Sequence, residues 1–236
     1  MIKAVFFDAG ETLIHRNPSL VSIVDRALRT AGHRVDKAAL ACAIESSAKQ
    51  MRGIVEKGVM SDSDKWDHYM RVLFLKLKVK DGPLIEKIKL RLKKGTSFRA
   101  YAEVPGVLKR LRSKKIILGV ISNASSWLEK ILDKAGLKGS FEHVVVSEIE
   151  GVEKPHKKIF DIALKKAGVK SGEFMFIGDN YIADVQGAIN AGVKAVWLKR
   201  DTVNAQFSFA HRAGEKARRV RNLREFIQYM EKEKMI

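Results

Sequence analysis

The sequence has few of the residues that cross-link or stiffen a chain, with one cysteine and four prolines among its 236 residues. The single thiol, Cys42, has no partner for an intrachain disulfide and no second thiol for a C-x-x-C metal or redox motif, and we expect it to be a small core residue. No linker rich in proline, glycine or serine is present, so domain boundaries must come from the hydrophobic pattern.

Long hydrophobic runs are also missing. The longest apolar stretches, such as Ile116–Ile121 and Val144–Val146, are far shorter than the roughly 18 residues that a bilayer crossing needs. At the N-terminus, Asp8 interrupts MIKAVFFD before a secretory hydrophobic region could form. We therefore expect a cytoplasmic protein that neither crosses a membrane nor enters the secretory route.

Acidic residues are scarce relative to basic ones, at 27 against 45, which gives a net charge of +18. The densest basic runs, Lys76–Lys94 and Arg212–Arg224, have helical periodicity and lack interleaved aromatic residues for base stacking. We therefore expect solvated helix faces, not a nucleic-acid interface, and a positive field that concentrates small anionic substrates. The 31% of charged residues is typical of heat-adapted proteins and predicts a thermophile.

Short apolar runs, each too short for a helix, alternate with amphipathic stretches in most of the chain. The runs predicted as buried parallel strands are Ile2–Phe7, Ile116–Ile121, His143–Val146, Phe174–Ile177 and Ala195–Leu198. The helices predicted between the later strands are Val107–Ser113, Ser126–Ala135, Lys158–Ala167 and Ile182–Ala191. This alternation predicts an α/β fold with a doubly wound, Rossmann-like parallel sheet.

Residues 16–99 break the alternation, because they contain successive helical patterns and no convincing strand. The predicted helices are Ser19–Ala31, Lys37–Glu56, Ser63–Leu77 and Leu84–Lys94. We therefore predict a Rossmann-like catalytic core formed by residues 1–15 and 100–236, and an inserted helical-bundle cap formed by residues 16–99. An insertion beyond the carboxyl end of a parallel strand is expected to lie over the ligand crevice of the sheet.

Chemically active residues lie at the ends of several predicted strands or in the loops beyond them, and these ends meet at one edge of a parallel sheet. These residues are Asp8, Ser122, Asn123, Lys154, Asp179 and Asp184. Together they suit phosphoryl transfer, with a carboxylate able to attack phosphorus, a hydroxyl and an ammonium to hold phosphate oxygens, and carboxylates for Mg²⁺. No G-x-G-x-x-G or Walker-type loop follows any strand, which argues against a nucleotide cradle.

Four motifs around these residues resemble those of the haloacid dehalogenase (HAD) superfamily of hydrolases, in the branch with a helical cap after the first strand. In chain order they are FFDAGETL, VISN, GVEKPHKKIF and IGDNYIADVQGAINAG. The resemblance extends over the whole chain. It implies a hydrolase of small phosphorylated substrates with Mg²⁺ as cofactor.

The same resemblance implies a role for each motif residue. Asp8 is the implied nucleophile, which forms an aspartyl-phosphate, and Ser122, Asn123 and Lys154 bind the phosphate. The implied metal ligands are the Asp8 carboxylate, the Gly10 carbonyl and Asp179, with Asp184 as a further ligand or an orienting residue. Thr12 is expected to steady the nucleophile loop.

One position departs from the family pattern. Phosphatases of this family usually carry a second aspartate, the acid and base of the reaction, two residues after the nucleophile, where this chain has Gly10. Glu11 is the candidate substitute; otherwise the leaving group needs no proton, or turnover is slow. We therefore predict an Mg²⁺-dependent phosphatase, with a 2-haloacid dehalogenase-like hydrolase and a catalytically weak binding protein as alternatives.

Overall fold

The computed structural model describes residues 1–55, 62–94, 97–200 and 217–236, which fall into two compact units. Among these residues the first unit contains 1–15, 98–200 and 217–236, and the second contains the part of 16–97 that is described. The two units are defined only by how compactly each part of the chain packs. The prediction that the second unit acts as a cap over the site stays a prediction.

The strands of the described residues form two sheets. They are β1 (Ala4–Phe7), β2 (Ile14–Asn17), β3 (Ser97–Ala100), β4 (Ile117–Ser122), β5 (His143–Val146), β6 (Phe174–Gly178), β7 (Lys194–Leu198) and β8 (Arg218–Val220). The larger sheet has the spatial order β5-β4-β1-β6-β7-β8, and all of its neighbouring strands are parallel. Strands β2 and β3 form the smaller sheet.

The α-helices of the described residues belong to both units. They are α1 (Leu20–Thr30), α2 (Lys37–Val55), α3 (Asp62–Lys76), α4 (Gly82–Lys94), α5 (Val104–Ser113), α6 (Leu128–Leu132), α7 (Ser147–Glu150), α8 (Lys157–Ala167), α9 (Gly187–Asn190) and α10 (Leu223–Lys232). Short π-helical segments at Asp133–Leu137 and Tyr181–Gln186 continue into or follow these helices, and Ser171–Glu173 is a 3₁₀ turn. No helix in these ranges is both long and apolar enough to cross a bilayer.

Strand β1 has an unbroken apolar sequence because both of its faces are buried. Val5 and Phe7 pack into a core that includes residues of α5 and α10, whereas Ala4 and Phe6 pack into a core that includes residues of α8 and α9. Helices on both faces of a parallel sheet define the doubly wound α/β class. The fold class predicted from the sequence is therefore confirmed.

The register of the central strands determines where the polar residues lie. Phe7 of β1 is level with Val120 of β4 on one side and with Ile177 of β6 on the other. The strands thus end within two residues of the same level, and the residues that follow them meet at one edge of the sheet.

The helical unit has its own core, formed by the apolar faces of α1 to α4. Its fully buried residues include Val24, Leu40, Met70, Leu73 and Ile88. The Ser19 hydroxyl accepts a hydrogen bond from the backbone N–H of Ser22 and caps α1. The four helices predicted for this segment are present, with ends that differ from the predicted ones by a few residues at most.

Two predictions about strands are wrong. The inserted segment was expected to contain helices alone, but the chain leaves the first unit through β2 and returns through β3, and these two strands pair. The basic run Arg212–Arg224 was interpreted as helical, but its residues 218–220 form the edge strand β8 beside β7. Residues 212–216 of that run lie outside the described residues. An edge strand of three residues with one apolar side chain has no hydrophobic period to recognise.

The expectation for Cys42 is also wrong, because the thiol is exposed. The buried face of α2 contains Leu40, Ala43 and Ile44, whereas Cys42 lies on the solvent side of the same turn. A helix advances about 100° per residue, so Cys42, two residues after Leu40, is turned well away from the core.

Candidate active site

Asp8 lies directly after β1, at the carboxyl edge of the parallel sheet. Its backbone N–H donates to the Ile177 carbonyl of β6 at 2.9 Å, which continues the strand pairing to the aspartate itself. The side chain is almost completely buried and accepts a hydrogen bond at Oδ1 from the Lys154 ammonium at 2.7 Å. The first strand thus presents a carboxylate in direct contact with a buried cation.

Lys154 uses its ammonium group as a bridge between three acceptors. Besides Asp8, its Nζ donates to Asp184 Oδ1 at 2.7 Å and to the Ile121 carbonyl at 2.9 Å, which matches the three donors of an ammonium. Burial acts to lower the pKa of Lys154, but the charges of Asp184 and Asp8 outweigh it and raise the pKa above its usual value. Lys154 therefore carries its positive charge in the folded protein.

The backbone of the lysine loop is fixed from two sides. The Asn123 amide donates to the Lys154 carbonyl and accepts from the Lys154 N–H, each at 2.8 Å. On the other side Gly187 approaches the following residue so closely that an added Cβ would lie 2.9 Å from Pro155 Cα. Asn123 was predicted to bind phosphate, but both the nitrogen and the oxygen of its side-chain amide form hydrogen bonds with the backbone of Lys154.

Asp184 is held by hydrogen bonds to both of its carboxylate oxygens. Oδ1 accepts from Lys154, and Oδ2 accepts from the Asn180 backbone N–H at 2.8 Å. The carboxyl group occupies the space where a side chain at Gly178 would begin, since an added Cβ would clash with Asp184 Oδ2 and Cγ. Gly178 lies within a motif quoted from the sequence, but its steric role requires the three-dimensional structure to be seen.

Asp179 follows β6 and completes the group of carboxylates. The Thr12 hydroxyl donates to its Oδ1 at 3.4 Å, and the Trp197 indole N–H donates to its backbone carbonyl at 3.0 Å. Burial raises the pKa of Asp179 well above its usual value, and the charges of Asp8 and Asp184 raise it further. Thr12 thus contacts Asp179, and its expected role in steadying the nucleophile loop stays a prediction.

Asp8, Asp179 and Asp184 form the acidic cluster of this site. Each offers a carboxylate oxygen, and these oxygens lie within 4.8 Å of one another. Burial raises the pKa of Asp8 to about 6, although the Lys154 charge acts in the opposite direction. Three buried carboxyl groups share one ammonium, so a further cation would favour their ionised forms, and oxygen-only donors suit a hard cation. These residues therefore fit the Mg²⁺ that the resemblance implies.

The remaining predicted site residues differ in their surroundings. Ser122 ends β4 and is buried, and its hydroxyl has no hydrogen bond to any other described residue. Gly10 is exposed and has open space where a side chain would begin. Glu11 has a left-handed backbone with φ of 55°, and its Oε2 accepts a hydrogen bond from the Tyr101 hydroxyl at 2.8 Å. The roles assigned to these residues stay predictions.

Two residues that lie beside the site were not predicted from the sequence. Arg200 is buried and donates to the backbone carbonyls of Glu11 and Thr12, and Tyr101 lies against its guanidinium. The available indication was slight, because Arg200 is one of many basic residues and differs only in lying two residues after the end of β7. Neither residue belongs to one of the four motifs.

A Rossmann-like sheet with buried carboxyl groups and a buried lysine at its carboxyl edge places this chain in the doubly wound α/β class, whose ligand sites lie at that edge. The sequence profile of the haloacid dehalogenase-like hydrolases matches residues 2–192. The chain therefore belongs to this family and is a hydrolase, as the motifs predicted.

Several known proteins are similar to this chain. The glyceraldehyde 3-phosphate phosphatase of Pyrococcus abyssi is 32% identical over 205 residues, which cover 84% of this chain and 82% of the relative. The HAD-hydrolase YfnB of Bacillus subtilis, crystallised bound to magnesium, aligns with a TM-score of 0.73 at 18% identity over 97% of this chain and 98% of its own. The L-2-haloacid dehalogenase of Xanthobacter autotrophicus aligns with a TM-score of 0.66 at 20% identity over 98% of this chain and 99% of its own. The two structural matches concern the fold alone.

Proposed function

We propose that this protein is an Mg²⁺-dependent phosphatase of small phosphorylated metabolites, with Asp8 as the nucleophile that forms an aspartyl-phosphate. The observation that carries the proposal is the contact of the Lys154 ammonium with both Asp8 and Asp184, beside Asp179. This arrangement puts a permanent cation against the carboxylate that must approach a phosphate. The relatives named glyceraldehyde 3-phosphate phosphatase support a phosphate ester as substrate and make that compound the first to test.

The reaction proceeds in two displacements. An Asp8 carboxylate oxygen forms a bond to phosphorus as the ester oxygen leaves, and water then attacks the phosphorus of the acyl phosphate, which releases inorganic phosphate and regenerates Asp8. Lys154 offsets the repulsion between the two anions, and the Ser122 hydroxyl donates a hydrogen bond to a phosphate oxygen. A bound Mg²⁺, held by Asp8, Asp179 and the Gly10 carbonyl with Asp184 beside it, would supply further charge neutralisation.

The leaving group determines how fast the first displacement is. Gly10 offers no side chain to protonate an alkoxide, and the Glu11 carboxylate is bound to the Tyr101 hydroxyl. A general acid typically contributes about 10² to 10⁴ in rate. We therefore expect aryl and acyl phosphates, which leave without a proton, to be hydrolysed faster than alkyl phosphates.

The deciding experiment measures phosphate release from p-nitrophenyl phosphate, acetyl phosphate and glyceraldehyde 3-phosphate, each with Mg²⁺ and with EDTA. We expect release that requires Mg²⁺. The Asp8→Asn variant keeps the size of the side chain and loses the nucleophile, so we expect turnover to fall by about 10³ or more, with circular dichroism unchanged. Substantial phosphate release by folded Asp8→Asn would refute Asp8 as the nucleophile.

A 2-haloacid dehalogenase is the second candidate, favoured by Gly10, because the dehalogenase branch of the family also lacks the second aspartate. In that reaction the same carboxylate attacks carbon and expels halide, which requires no divalent cation. The acidic cluster argues against it, since carbon attack gives no reason to bury Asp179 and Asp184 beside Asp8. Halide release from 2-chloropropionate in EDTA, without phosphate release from any ester, would favour the dehalogenase.

The net charge of +18 motivates the third candidate, a catalytically weak protein that binds nucleic acid. Retention on heparin or DNA that falls steeply with salt, together with no activity on the esters or the haloacid, would favour this candidate.

A further inference from the structure

Arg200 is the second residue after β7 and belongs to none of the four motifs, yet it makes an unusual set of contacts. It is 7% exposed, and its Nε and Nη2 donate to the carbonyls of Glu11 and Thr12 at 3.1 and 2.8 Å. Its Nη1 donates to Glu103 Oε1 at 2.6 Å. One guanidinium group thus joins a carboxylate before α5 to two consecutive carbonyls of the loop that follows Asp8.

Tyr101 holds the same loop by its side chain. Its ring lies against the Arg200 guanidinium, with Cζ 3.5 Å from the ring centre, and its hydroxyl donates to Glu11 Oε2 at 2.8 Å. Burial raises the pKa of Tyr101, and the Glu11 charge raises it further, so the phenol keeps the proton that it donates. Backbone and side chain of Glu11 are therefore fixed by two neighbouring residues.

The loop requires such support because of its conformation. Glu11 has φ of 55°, in the left-handed region that is costly for a residue with a Cβ. The turn is closed by the N–H of Glu11, which donates to the Ile14 carbonyl, and by the N–H groups of Leu13 and Ile14, which donate to Ala9. The Arg200 contacts fall on the carbonyls at and after the strained residue.

We propose that Arg200 is a positioning residue for residues 10–12 and acts on the reaction through Glu11 and Thr12, without contacting the substrate. The inference rests on the proposed phosphatase function, because it concerns the same site. Two hydrogen bonds connect Arg200 to the acidic cluster. Arg200 donates to the Thr12 carbonyl, and the Thr12 hydroxyl donates to Asp179.

A lysine at this position cannot make the same contacts. The planar guanidinium presents five donors in a fixed fork and packs flat against an aromatic ring, whereas an ammonium is a compact point charge on a flexible stem. The Arg200→Lys variant therefore keeps the charge next to Glu103 and removes the simultaneous contacts to Glu11 and Thr12. It tests positioning with little change in electrostatics.

The experiment compares Arg200→Lys with the wild type and with Arg110→Lys, a matched control. Arg110 forms an exposed pair with Glu231 in the same unit, with no contact to the site. For Arg200→Lys we expect kcat for p-nitrophenyl phosphate to fall about tenfold or more while KM changes less than about threefold. Amide hydrogen exchange in the peptide covering residues 9–14 should become faster, and both quantities should match the wild type in Arg110→Lys.

A second variant separates the two supports of Glu11. Tyr101→Phe keeps the ring under the guanidinium and removes the hydrogen bond to the carboxylate, so we expect unchanged exchange in residues 9–14 and a smaller fall in kcat than for Arg200→Lys. Unchanged exchange in Arg200→Lys, or a kcat loss equal to its unfolded fraction, would overturn the positioning role. If the wild type hydrolyses no ester, the proposed function fails, whereas hydrogen exchange still decides whether Arg200 holds the loop.

Discussion

Gly10 occupies the position two residues after the nucleophile, and its lack of a side chain removes a group that could protonate a leaving alkoxide. The structure has open space around the Cβ that another residue would add there, and the Gly10 φ lies outside the left-handed region. We predict that Gly10→Asp raises kcat for alkyl phosphates by about tenfold or more, because a general acid contributes about 10² to 10⁴ in rate. Steady-state phosphate release from glycerol phosphate measures the change.

The same substitution should matter less for p-nitrophenyl phosphate, whose leaving group needs no proton. Gly10→Asn is the matched control, because the amide has the shape of aspartate but cannot transfer the proton. Equal rates for the aspartate and asparagine variants on an alkyl phosphate would contradict this account of Gly10.

Gly178 matters for steric reasons, since the Asp184 carboxyl group lies where its side chain would begin. We predict that Gly178→Ala destabilises the protein by about 1 to 3 kcal/mol, as overpacking does in well-packed interiors, and displaces Asp184 from Lys154. Chemical denaturation measures the free energy of unfolding. Gly172→Ala is the control, because its added Cβ would meet no atom within 4 Å. Equal stability of the two variants would show that the site accommodates the methyl group.

Side chains that flank the ends of helices and strands connect these elements near the site, and the ion pair of Glu103 with Arg200 is the clearest example. Glu103 precedes α5 and pairs with Arg200 after β7 at 2.6 Å, with both side chains nearly buried. Burial acts to raise the pKa of Glu103, but the hydrogen bond and charge of Arg200 outweigh it and hold the pKa below its usual value of 4.5. The pair therefore favours the ionised carboxylate in the folded state.

A carboxyl group whose pKa is lower in the folded than in the unfolded protein stabilises the fold above its unfolded pKa. This contribution disappears as the pH falls through the folded value. We predict that Glu103→Gln lowers the free energy of unfolding by about 1 kcal/mol at pH 7, and that its difference from the wild type shrinks below pH 4.5. Denaturation curves at pH 7 and pH 4 give the comparison. A difference that grows on acidification would contradict the assigned sign.

The elements themselves were predictable where hydrophobic residues recur with a clear period. Helix α4 and strand β6 were expected at Leu84–Lys94 and Phe174–Ile177, within a few residues of their positions in the structure. Strands β2 and β8 were not expected, because each has three or four residues and few apolar side chains. The stability of such strands comes from pairing with a distant neighbour, which a local pattern does not contain.

The whole molecule carries a net charge of +18, and repulsion among these charges destabilises the compact folded state. We predict that raising KCl from about 20 to 200 mM increases Tm by about 2 to 4 °C, because the added salt screens this repulsion. Differential scanning calorimetry in buffers that differ only in KCl measures the shift. The same titration with choline chloride is the control for specific potassium binding. A decrease in Tm would show that attractive ion pairs dominate the electrostatics. The expected heat adaptation stays a prediction.

The sequence by itself determined the family, the doubly wound sheet and the residues at the strand ends, because buried strands and their following motifs are local in the chain. Only the tertiary structure decided that Asn123 holds Lys154, that Gly178 makes room for Asp184 and that Arg200 supports the left-handed turn at Glu11. These relations join residues from 6 to 189 positions apart, and they depend on side-chain shape and hydrogen-bond direction. Periodicity and composition contain neither quantity.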